Sequence, residues 1–463
     1  MNASESDATK VTVTNRRAPF PGGFLRTISE GWAERPALLP APRAPADYAA
    51  ARRDAVSAAF PGKRLVVPAG ETAVRSNDTD YAFRAHSAFS HLTGWASDSE
   101  PGSMLVFDPT ESGHTVTLYF RERADRHTSE FYSDASIGEF WIGPRPALAD
   151  VAAELGIDTA HINHFAANDG ELIVGADASL TQFVSELRFV KDAYEIAQLQ
   201  LAVDVTARGF DDIIADLPAA IAHPRGERVV EGAFYARARA DGNDLGYATI
   251  AASGPHACYL HWTRNDGVVA PGDLILIDAG VEVDSLYTAD ITRTLPVNGT
   301  FSDVQRKVYN AVLEAADAAF AIAKPGVKFR AVHDAAMEVI AARTAEWGLL
   351  PVTAHEALDA DNGGQHRRYM VHGTSHHLGL DVHDCAQARR DMYYDGELKA
   401  GMVFTIEPGL YFQADDMTVP SEYRGIGVRI EDDILMTEDG PVNLSAAIAR
   451  TADDVEAWVQ RGL

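Results

Sequence analysis

The sequence predicts a two-domain protein of the mixed α/β (α+β) class. Its 463 residues exceed what a single hydrophobic core usually organises, which favours two domains. Strand-like and helical runs alternate between residues 60 and 175, a pattern typical of an α/β layer domain. From Lys191 onward, long helical patterns are separated by short apolar strands, which indicates a second, differently built domain.

The first half contains strand-like runs with helical patterns between them. Strands are predicted at residues 64–67, 104–107, 115–119 and 172–174. The clearest helical pattern covers residues 145–155, and this half has no phosphate loop or glycine-rich dinucleotide signature. We therefore predict an N-terminal domain at residues 41–185, preceded by a disordered or extended segment at residues 1–40.

The second half opens with apolar residues that recur at three- and four-residue intervals after Lys191. This spacing predicts a long amphipathic helix and places the linker near residues 180–190. Further helices are predicted at residues 227–240, 303–323 and 331–347. Pro325 and Gly326 end the second of these. The second domain is predicted to cover residues 190–463.

Charge and composition exclude several classes of protein. The formal charge of −27 would repel phosphates and argues against a nucleic-acid partner. The two cysteines, Cys258 and Cys385, are too few for a disulfide scaffold and fit a reducing compartment. The N-terminal residues lack the apolar core of a signal peptide, and no apolar run is long enough to span a bilayer. These features predict a soluble cytoplasmic protein without a nucleic-acid or membrane partner.

Two aspartates lie next to apolar strands. Asp278 ends the apolar run of DLILIDAG, where a buried carboxylate is costly unless it is paired or bound to a metal. Asp290 follows twelve residues later, and a hairpin would bring both carboxylates to one end of the strands. The alternatives are an exposed aspartate that starts a turn at residue 278 and an ion pair between Asp290 and Arg293.

A cluster of histidines lies in the segment VHGTSHHLGLDVHD. Its four members within twelve residues are His372, His376, His377 and His383. One histidine alone is usually structural, but this density favours a functional site. His372 and His376 are four residues apart, which on a helix would suggest a shared zinc ion. Because the glycines at 373 and 379 oppose a helix, we predict a strand or loop, and the histidines need not share one metal.

Two glutamates adjoin apolar strands near the end of the chain. Glu407 precedes Pro408 in MVFTIEPGLY, which places a carboxylate at a rigid corner. Glu431 lies in GIGVRIEDDILM, where strand alternation puts it on one face with Arg429. The alternative for Glu431 is a cross-strand ion pair on a solvated face.

These residues together suit a dinuclear metal site. The predicted ligands are Asp278, Asp290, His376, Glu407 and Glu431. Their four carboxylates balance the charge of two divalent cations, and a bridging hydroxide would then be available for hydrolysis near neutral pH. Oxygen-rich ligation with one imidazole favours two Mn²⁺ ions, or Co²⁺ or Zn²⁺, over a structural zinc site.

Several segments resemble motifs of the aminopeptidase P (Xaa-Pro aminopeptidase) family. These are HGTSHHLGLDVHD, TIEPGLY and YRGIGVRIEDD, with LIDAGVEVDSLYTADITRTLPVNG for the two-aspartate hairpin and GPHACYLHWTRND for the substrate histidine. The family belongs to the pita-bread metallopeptidases, with prolidase and methionine aminopeptidase. DYAFRAHSAFSHLTGW resembles the N-terminal domain of aminopeptidase P and prolidase. The resemblance implies a creatinase/prolidase-type N-terminal domain followed by a pita-bread catalytic domain.

The resemblance also implies how the cations are held. Asp278 would chelate one cation, while Asp290 and Glu431 would bridge both. His376 and Glu407 would bind the second cation. The sequence departs from the family in one respect, because the two aspartates are twelve residues apart here and usually eleven apart in the family. This difference bears on the geometry of the hairpin.

Further residues receive roles from the same resemblance. His261, His372 and His383 would be the histidines that surround the scissile bond without binding metal. Arg429 would orient Glu431 and the aspartates from behind. Tyr411 would form a hydrogen bond near the cations.

The implied reaction is hydrolysis of the first peptide bond in peptides with proline in second position. The bridging hydroxide would attack the carbonyl, and His383 or His372 would stabilise the oxyanion. Glu407 would carry the proton of water to the prolyl nitrogen. Because that nitrogen has no N–H, a pocket shaped for the ring must supply selectivity, and His261 would contact the substrate beside it. The resemblance further implies a homodimer or homotetramer.

Three alternatives remain at this level. Prolidase cleaves only Xaa-Pro dipeptides, and the motifs do not state substrate length clearly, although YRGIGVRIEDD and the long upstream domain favour aminopeptidase P. A metal-free binding module with the pita-bread fold is disfavoured because all five ligand positions are filled. Creatinase-like C–N hydrolysis without metal is disfavoured for the same reason.

Overall fold

The computed structural model describes residues 20–35, 38–77 and 79–463, which divide into two compact units. The first unit covers the described residues up to Trp95 together with Ser99–Ile173, and the second covers Ala96–Asp98 and Val174–Leu463. Much of the segment predicted to be disordered or extended, at residues 1–40, lies outside the described residues. Within its described part, Gly22–Thr27 form a short helix, which differs from that prediction.

The first unit is built around one mixed sheet. Its helices are α1 (Gly22–Thr27), α2 (Ala46–Ala59), α3 (Ser87–Thr93), α4 (Glu130–Ser133), α5 (Glu139–Ile142) and α6 (Leu148–Leu155). Its strands are β1 (Leu65–Pro68), β2 (Val74–Ser76), β3 (Thr79–Asp80), β4 (Met104–Thr110), β5 (Gly113–Phe120), β6 (Asp158–His161) and β7 (Leu172–Ile173). The sheet has the order β6-β5-β4-β1-β7, with antiparallel central pairs and a parallel pair at each edge.

The predicted elements of the first unit are present with small changes at their ends. The four predicted strands correspond to β1, β4, β5 and β7. Leu65 pairs with Phe107 across the sheet, and both side chains are fully buried, as apolar runs at these positions predict. The predicted helix at 145–155 begins three residues later, at Leu148. It does so because Ala147 is still extended and donates its N–H to Asp150, which closes the first turn.

The second unit combines long helices with several small sheets. Its helices are α7 (Ala178–Glu186), α8 (Ala193–Ala222), α9 (Gly226–Asp241), α10 (Asp303–Ile322), α11 (Arg330–Glu346), α12 (Ala354–Ala357), α13 (Arg390–Tyr393) and α14 (Ala452–Gln460). Its strands are β8 (Asp244–Leu245), β9 (Ile250–Ser253), β10 (Leu274–Ala279), β11 (Val281–Glu282), β12 (Ile291–Pro296), β13 (Val403–Ile406), β14 (Gly409–Tyr411), β15 (Gly427–Arg429), β16 (Asp432–Thr437) and β17 (Gly440–Asn443). Short 3-10 helices cover Gly254–Cys258 and Gln365–Arg368.

The division between the units differs from the predicted linker at residues 180–190. It falls between Ile173 and Val174, and α7 occupies most of the stretch predicted to be a linker. The physical reason is that this stretch is tied to the second unit. Ser185 accepts a hydrogen bond from the backbone of Gln387, and Glu186 pairs with Arg389 at 2.9 Å. Contacts of this kind are invisible in a local pattern.

The long helix predicted after Lys191 is α8. Asp192 and Glu195 form a capping box at its start, with hydrogen bonds of 3.0 and 2.9 Å between side chain and backbone. Val203, Phe210 and Leu217 lie seven residues apart on its buried face, as a helical period requires. This face packs against α9, while α10 packs against α11. These helices also contact strands of the same unit, with α9 against β9, α8 against β11 and α10 against β15.

The strands of the second unit form small antiparallel sheets. One has the order β9-β10-β12, another has the order β13-β16-β17, and β14 pairs with β15. The side chains of β10, β12 and β13 are all buried, including the polar Thr292, Arg293 and Thr294 of β12. Within the part of the chain that the structure describes, none of the helices combines the length and the apolar character that crossing a bilayer requires.

Candidate active site

The two aspartates lie at adjoining strand ends, as the hairpin prediction requires. Asp278 is the penultimate residue of β10, and Asp290 directly precedes β12, which pairs antiparallel with β10. Both side chains are buried. The hydroxyl of Tyr247 lies 2.6 Å from Oδ1 of Asp278 and 2.5 Å from Oδ1 of Asp290. One phenol therefore holds both carboxylates at the same point.

The extra residue between the aspartates is accommodated in a turn away from the carboxylates. Ala279 and Ile291 remain in register across β10 and β12, so the strand ends themselves are undisturbed. The connection turns at residues 283–287, where Val283 donates to the Tyr287 carbonyl at 3.0 Å and Leu286 donates to the Val283 carbonyl at 2.7 Å. Leu286 takes a φ of +69°, an unusual conformation for a residue other than glycine. The turn thus absorbs the length.

His376 lies in an irregular segment beside β13, and the prediction that this segment is not helical is confirmed. The backbone N–H of His376 donates to Thr405 Oγ1 at 3.2 Å, and the backbone N–H of Thr405 donates to the His376 carbonyl at 2.9 Å. These bonds aim the imidazole at the carboxylates. His376 Nε2 is 3.2 Å from Asp290 Oδ2, 3.6 Å from Glu407 Oε1 and 4.0 Å from Glu431 Oε1.

Glu407 and Glu431 complete the group. Glu407 follows β13, and its N–H donates to the Thr374 carbonyl at 2.8 Å, which joins it to the histidine segment. Glu431 precedes β16, and its N–H donates to the Thr292 carbonyl at 3.1 Å. Thr292 returns a hydrogen bond from its hydroxyl to Glu431 Oε2 at 2.7 Å. The structure therefore brings all five sequence-predicted ligands into one buried cluster.

Arg429 lies behind the carboxylates. Its guanidinium forms a close ion pair with Asp278 and donates to the hydroxyls of Thr292 at 3.0 Å and Tyr411 at 3.2 Å. Thr292 joins Arg429 to Glu431 by hydrogen bonds, and the positive charge of Arg429 also acts on that carboxylate. The alternative of a cross-strand ion pair for Glu431 on a solvated face is wrong, since Glu431 is only 2% exposed.

The alternative partner for Asp290 is also wrong. Arg293 is fully buried and forms its ion pair with Asp432 at 2.7 Å. It also donates to the Glu431 carbonyl at 2.6 Å, which supports the strand that carries this glutamate. Asp290 is left facing His376. A strand places residues 290 and 293 on opposite faces, which is why they do not pair with each other.

Burial sets the electrostatics of the cluster. It raises the pKa of Glu407 to about 7 and raises the pKa of Glu431 well above its usual value, with neighbouring carboxylates adding to both shifts. Burial also raises the pKa of Asp278, although Arg429 opposes this. Although burial lowers the pKa of His376, its hydrogen bond with Asp290 and the charge of Glu407 outweigh this and raise it to about 9. So many buried acids next to one another are costly without added positive charge.

The donor set fits divalent cations. Asp290, His376 and Glu431 each offer one ligand atom, and these atoms lie within 4.8 Å of one another. Glu407 and Asp278 extend the same group on either side. Four carboxylates with one imidazole, and no thiolate among them, suit an oxygen-preferring metal pair more than a structural zinc ion. The residues present therefore match the metal site that the sequence predicts.

Two of the three predicted non-ligand histidines contact the cluster. His372 Nε2 is 2.8 Å from the Tyr411 hydroxyl, and its Nδ1 is 3.6 Å from Glu407 Oε2. The ring of His383 packs edge-on against that of His376, with centroids 4.5 Å apart. Burial lowers the pKa of both, with that of His372 falling to about 3, so both are neutral near pH 7. A neutral imidazole can donate one hydrogen bond without adding charge.

Of the other two histidines singled out in the sequence, His261 lies at the site and His377 lies outside it. His261 is exposed and lies close enough to His372 and His383 to influence the pKa of both. His377 instead packs on the ring of Phe329 at 4.4 Å, with its pKa lowered to about 3 by burial. His377 is thus a core residue, despite its place in the cluster of four.

Three residues of the site were missed by the sequence reasoning. Tyr247 holds both aspartates, Thr292 links Arg429 to Glu431, and Asp433 accepts a hydrogen bond from the Asp290 backbone at 3.1 Å. Thr292 lies within the two-aspartate hairpin motif, and Asp433 lies within the motif that contains Glu431. Their closeness in sequence to proposed ligands could therefore have indicated them. Tyr247 has no such motif around it.

Family models match both parts of the chain. One described as metallopeptidase family M24 matches residues 197–438, which is more than half of the chain. One described as the N-terminal domain of aminopeptidase P matches residues 49–179. The two matches together span most of the described structure.

Named proteins and solved structures are similar over nearly the whole chain. Xaa-Pro aminopeptidase 1 of Streptomyces coelicolor is 49% identical over 95% of this chain and 93% of its own length. Xaa-Pro aminopeptidase of Escherichia coli is 32% identical over 86% of this chain and 93% of its own. The structure of zinc-substituted E. coli aminopeptidase P in complex with product matches with a TM-score of 0.79 at 29% identity, covering 91% of this chain and 99% of that one.

Proposed function

Because this chain belongs to metallopeptidase family M24, in its aminopeptidase P branch, we propose that it is a metal-dependent Xaa-Pro aminopeptidase. It releases the N-terminal residue from peptides that have proline in second position. The predicted family, the two-part fold with a pita-bread domain and the hydrolase class are confirmed by these similarities. The prolidase alternative is not favoured, since the similar curated proteins are Xaa-Pro aminopeptidases.

One observation carries the proposal beyond similarity. His376, Asp290 and Glu431 offer ligand atoms within 4.8 Å of one another, and Glu407 lies 3.6 Å from the same imidazole. A metal-free binding module has no need for such a buried cluster of acids, because it is costly without a cation. The complete ligand set therefore favours an enzyme.

The ligand roles form part of the proposal. Asp278 would hold one cation, His376 and Glu407 would hold the other, and Asp290 and Glu431 would contribute to both. The near-exclusive oxygen ligation favours Mn²⁺, with Co²⁺ or Zn²⁺ as replacements. Divalent cations at such a site lower the pKa of a bound water and polarise a carbonyl.

Glu407 is the residue best placed to move the proton. Its carboxylate lies 3.6 Å from His376 on one side and 3.6 Å from His372 on the other, so it borders both the proposed ligands and a neutral histidine. We assign it to take the proton of water and deliver it to the prolyl nitrogen, which needs a proton to leave as an amine. This role is additional to its role as a ligand.

Of the two neutral histidines, His383 is the one assigned to the carbonyl oxygen. His372 donates its single N–H from Nδ1 to the Gly373 carbonyl at 2.7 Å and accepts from the Tyr411 hydroxyl at Nε2, which fixes it beside Glu407. His383 is held against His376. A fixed N–H directed at the developing oxyanion contributes most when it is prearranged in a buried site. His261 is exposed next to both and is assigned to contact the substrate beside the proline ring.

Several wider features belong to the same proposal. We expect a homodimer or homotetramer, which sedimentation of the purified protein would measure. We also expect a reducing, cytoplasmic location, and the two free buried cysteines, Cys258 and Cys385, are compatible with it. We keep the domain assignment of residues 41–185 and 190–463, with the family matches at 49–179 and 197–438 in its support.

A peptide panel tests the function directly. The wild-type protein is assayed with Xaa-Pro, Xaa-Pro-Xaa and Xaa-Ala-Xaa peptides, with and without Mn²⁺ after chelation. We expect metal-dependent release of the first residue from the proline tripeptide and no cleavage of its alanine counterpart. Cleavage of the dipeptide alone would indicate a prolidase. No cleavage at any metal concentration, with no cation bound, would indicate a binding module.

A further inference from the structure

Another buried carboxylate, that of Asp384, lies directly after His383 and is not among the proposed metal ligands. Its side chain is only 1% exposed. Oδ2 is 3.0 Å from Lys191 Nζ, and Oδ1 is 3.0 Å from Arg188 Nε. The side chains of Lys191 and Arg188 are buried as well. A fully desolvated acid with two cations is an expensive arrangement, and removing one partner leaves an uncompensated buried charge.

The cations come from a distant part of the chain. Arg188 and Lys191 lie just before α8, and Lys191 precedes Asp384 by 193 residues along the sequence. Lys191 also donates to the Arg188 carbonyl at 2.7 Å, and its backbone N–H donates to the Gly401 carbonyl at 2.8 Å. The ammonium group is therefore fixed before it meets the carboxylate. Although burial raises the pKa of the Asp384 carboxyl, Arg188 and Lys191 outweigh this and hold it below its usual value.

The carboxylate closes the turn that carries two site histidines. The backbone N–H of Asp384 donates to the His377 carbonyl at 2.9 Å, which brings residue 384 back beside His376. A Cβ on Gly379 would lie 2.2 Å from Asp384 Oδ2, so the turn is wrapped tightly around the charged group. Cys385 follows with a φ of +59°, which holds the chain at a sharp bend.

Asp384 is joined by one peptide bond to His383, so fixing Asp384 also restrains this site histidine. The His383 side chain lies on the exposed side of this turn, and its ring stands 4.5 Å from the His376 ring at an angle of 87°. Because Arg188 and Lys191 hold the Asp384 side chain, the backbone of the adjacent His383 has little freedom to shift or rotate. A catalytic group misplaced by about 1 Å can cost on the order of 100-fold in rate.

We propose that Asp384, clamped by Lys191 and Arg188, is a positioning residue that fixes the His383 imidazole next to His376. The inference rests on the proposed function, in which His383 acts on the carbonyl oxygen. Asp384 itself touches neither the substrate nor the ligand atoms. The clamp links the start of the second unit to its histidine turn.

The first test is Asp384→Asn, which preserves the shape of the side chain and removes its charge. We expect a folded protein with two bound cations per chain, a kcat about 10- to 100-fold lower, and a KM within about threefold of wild type, because a group that acts on the transition state affects kcat. Loss of bound metal in this variant would overturn the proposal, since the effect would then pass through the cluster. Glu195→Gln is the matched control, as it removes a buried carboxylate from the start of α8.

A double-mutant cycle separates positioning from general stability. His383→Ala is measured with and without Asp384→Asn. If Asp384 acts through His383, the second change should alter kcat by less than about twofold in the His383→Ala background, because coupled residues are not additive. Independent, multiplying losses would overturn the proposal. The wild-type peptide assay is read first: an inactive wild type refutes the proposed function, whereas an active wild type with additive losses refutes only the role of Asp384.

Asp384→Asn leaves Lys191 buried without its acid, so a second variant guards against unfolding. Lys191→Met combined with Asp384→Asn removes both charges, while Arg188 keeps its ion pair with Asp381 at 3.1 Å. We expect the melting temperature to recover towards that of wild type while kcat stays low. Recovery of kcat together with the melting temperature would show that only stability had been affected, and would overturn the proposal.

Discussion

The hydroxyl of Tyr247 lies 2.5 Å from Oδ1 of Asp290, at the point where this aspartate and Asp278, the two proposed metal ligands of the hairpin, converge. The same hydroxyl is 2.6 Å from Oδ1 of Asp278. Burial raises the pKa of this phenol well above its usual value, so it stays neutral and acts as a donor. A single O–H shared by two carboxylates fixes their separation before any cation binds.

Replacing Tyr247 by Phe should therefore weaken cation binding more than it weakens the fold. We expect roughly 10- to 100-fold lower metal affinity, as is usual when a partner of a ligand is lost. Isothermal titration calorimetry, with metal added to the chelated protein, measures this change in affinity. Tyr309→Phe is the matched control, because Tyr309 is a buried phenol that donates to the Arg450 carbonyl at 2.8 Å. Wild-type affinity in the Tyr247 variant would remove its assigned role.

Replacing Glu407 by Ala or Gln should abolish most turnover. A general base typically contributes about 100- to 10,000-fold, so kcat should fall at least about 100-fold with the fold intact. Bound metal is counted in each variant, because Glu407 is also a proposed ligand. The Gln variant is the informative one if it retains both cations. Full activity in a variant that keeps its metals would mean that another group carries the proton, and Glu438→Ala, an exposed glutamate, serves as the control.

Chelation should abolish activity, and Mn²⁺ should restore it. The chelated protein should also lose stability as pH rises. Glu407 keeps its proton in the folded state up to a pKa of about 7 instead of its ordinary 4.5, and His376 keeps its proton up to about 9 instead of 6.5. Between pH 4.5 and 9 the folded protein thus binds more protons than the unfolded chain. Raising the pH then favours unfolding, by up to about 1.4 kcal/mol per pH unit for each group.

The metal-loaded protein provides the contrast in that experiment. Bound cations replace the protons, so its melting temperature should vary less over the same pH range. Thermal denaturation of both forms at several pH values measures the difference. Parallel curves for the chelated and loaded forms would show that these groups do not hold metal, and activity that survives exhaustive chelation would rule out the metal mechanism.

The proposed ligands could be singled out from sequence because each lies inside a contiguous motif, four of them next to a strand end and His376 in the irregular segment beside β13. Tyr247 could not, since it lies 31 residues before Asp278 and reaches it only through the fold. The N–H of Gly246 donates to the Gly280 carbonyl at 2.9 Å, and β8 pairs with β11, which brings the tyrosine to the hairpin. Such short pairings leave no periodic signal.

The partners of the arginines escaped prediction for a related reason. Local spacing suggested that Arg293 pairs with Asp290, whereas the antiparallel pairing of β10 with β12 turns it towards Asp432. The helix α7 also escaped prediction, because its contacts with later parts of the chain, such as the ion pair between Glu186 and Arg389, leave no local pattern. Strand and helix identities follow from periodicity, but side-chain partners depend on which strands become neighbours.

Gly280 should tolerate no side chain, because the backbone of the hairpin that carries Asp278 and Asp290 occupies the space. A Cβ there would lie 1.7 Å from the Ala289 carbonyl oxygen, and that carbonyl belongs to the residue before Asp290. Gly280→Ala should therefore displace Asp290, lower the free energy of unfolding by roughly 3 kcal/mol or more, and reduce metal affinity. Gly232→Ala is the matched control: nothing lies within 4 Å of its added Cβ inside α9. It should stabilise the protein by about 0.5–1 kcal/mol through helix propensity alone. Denaturant unfolding of both variants decides the point, and equal stability would show that the hairpin backbone yields at no cost.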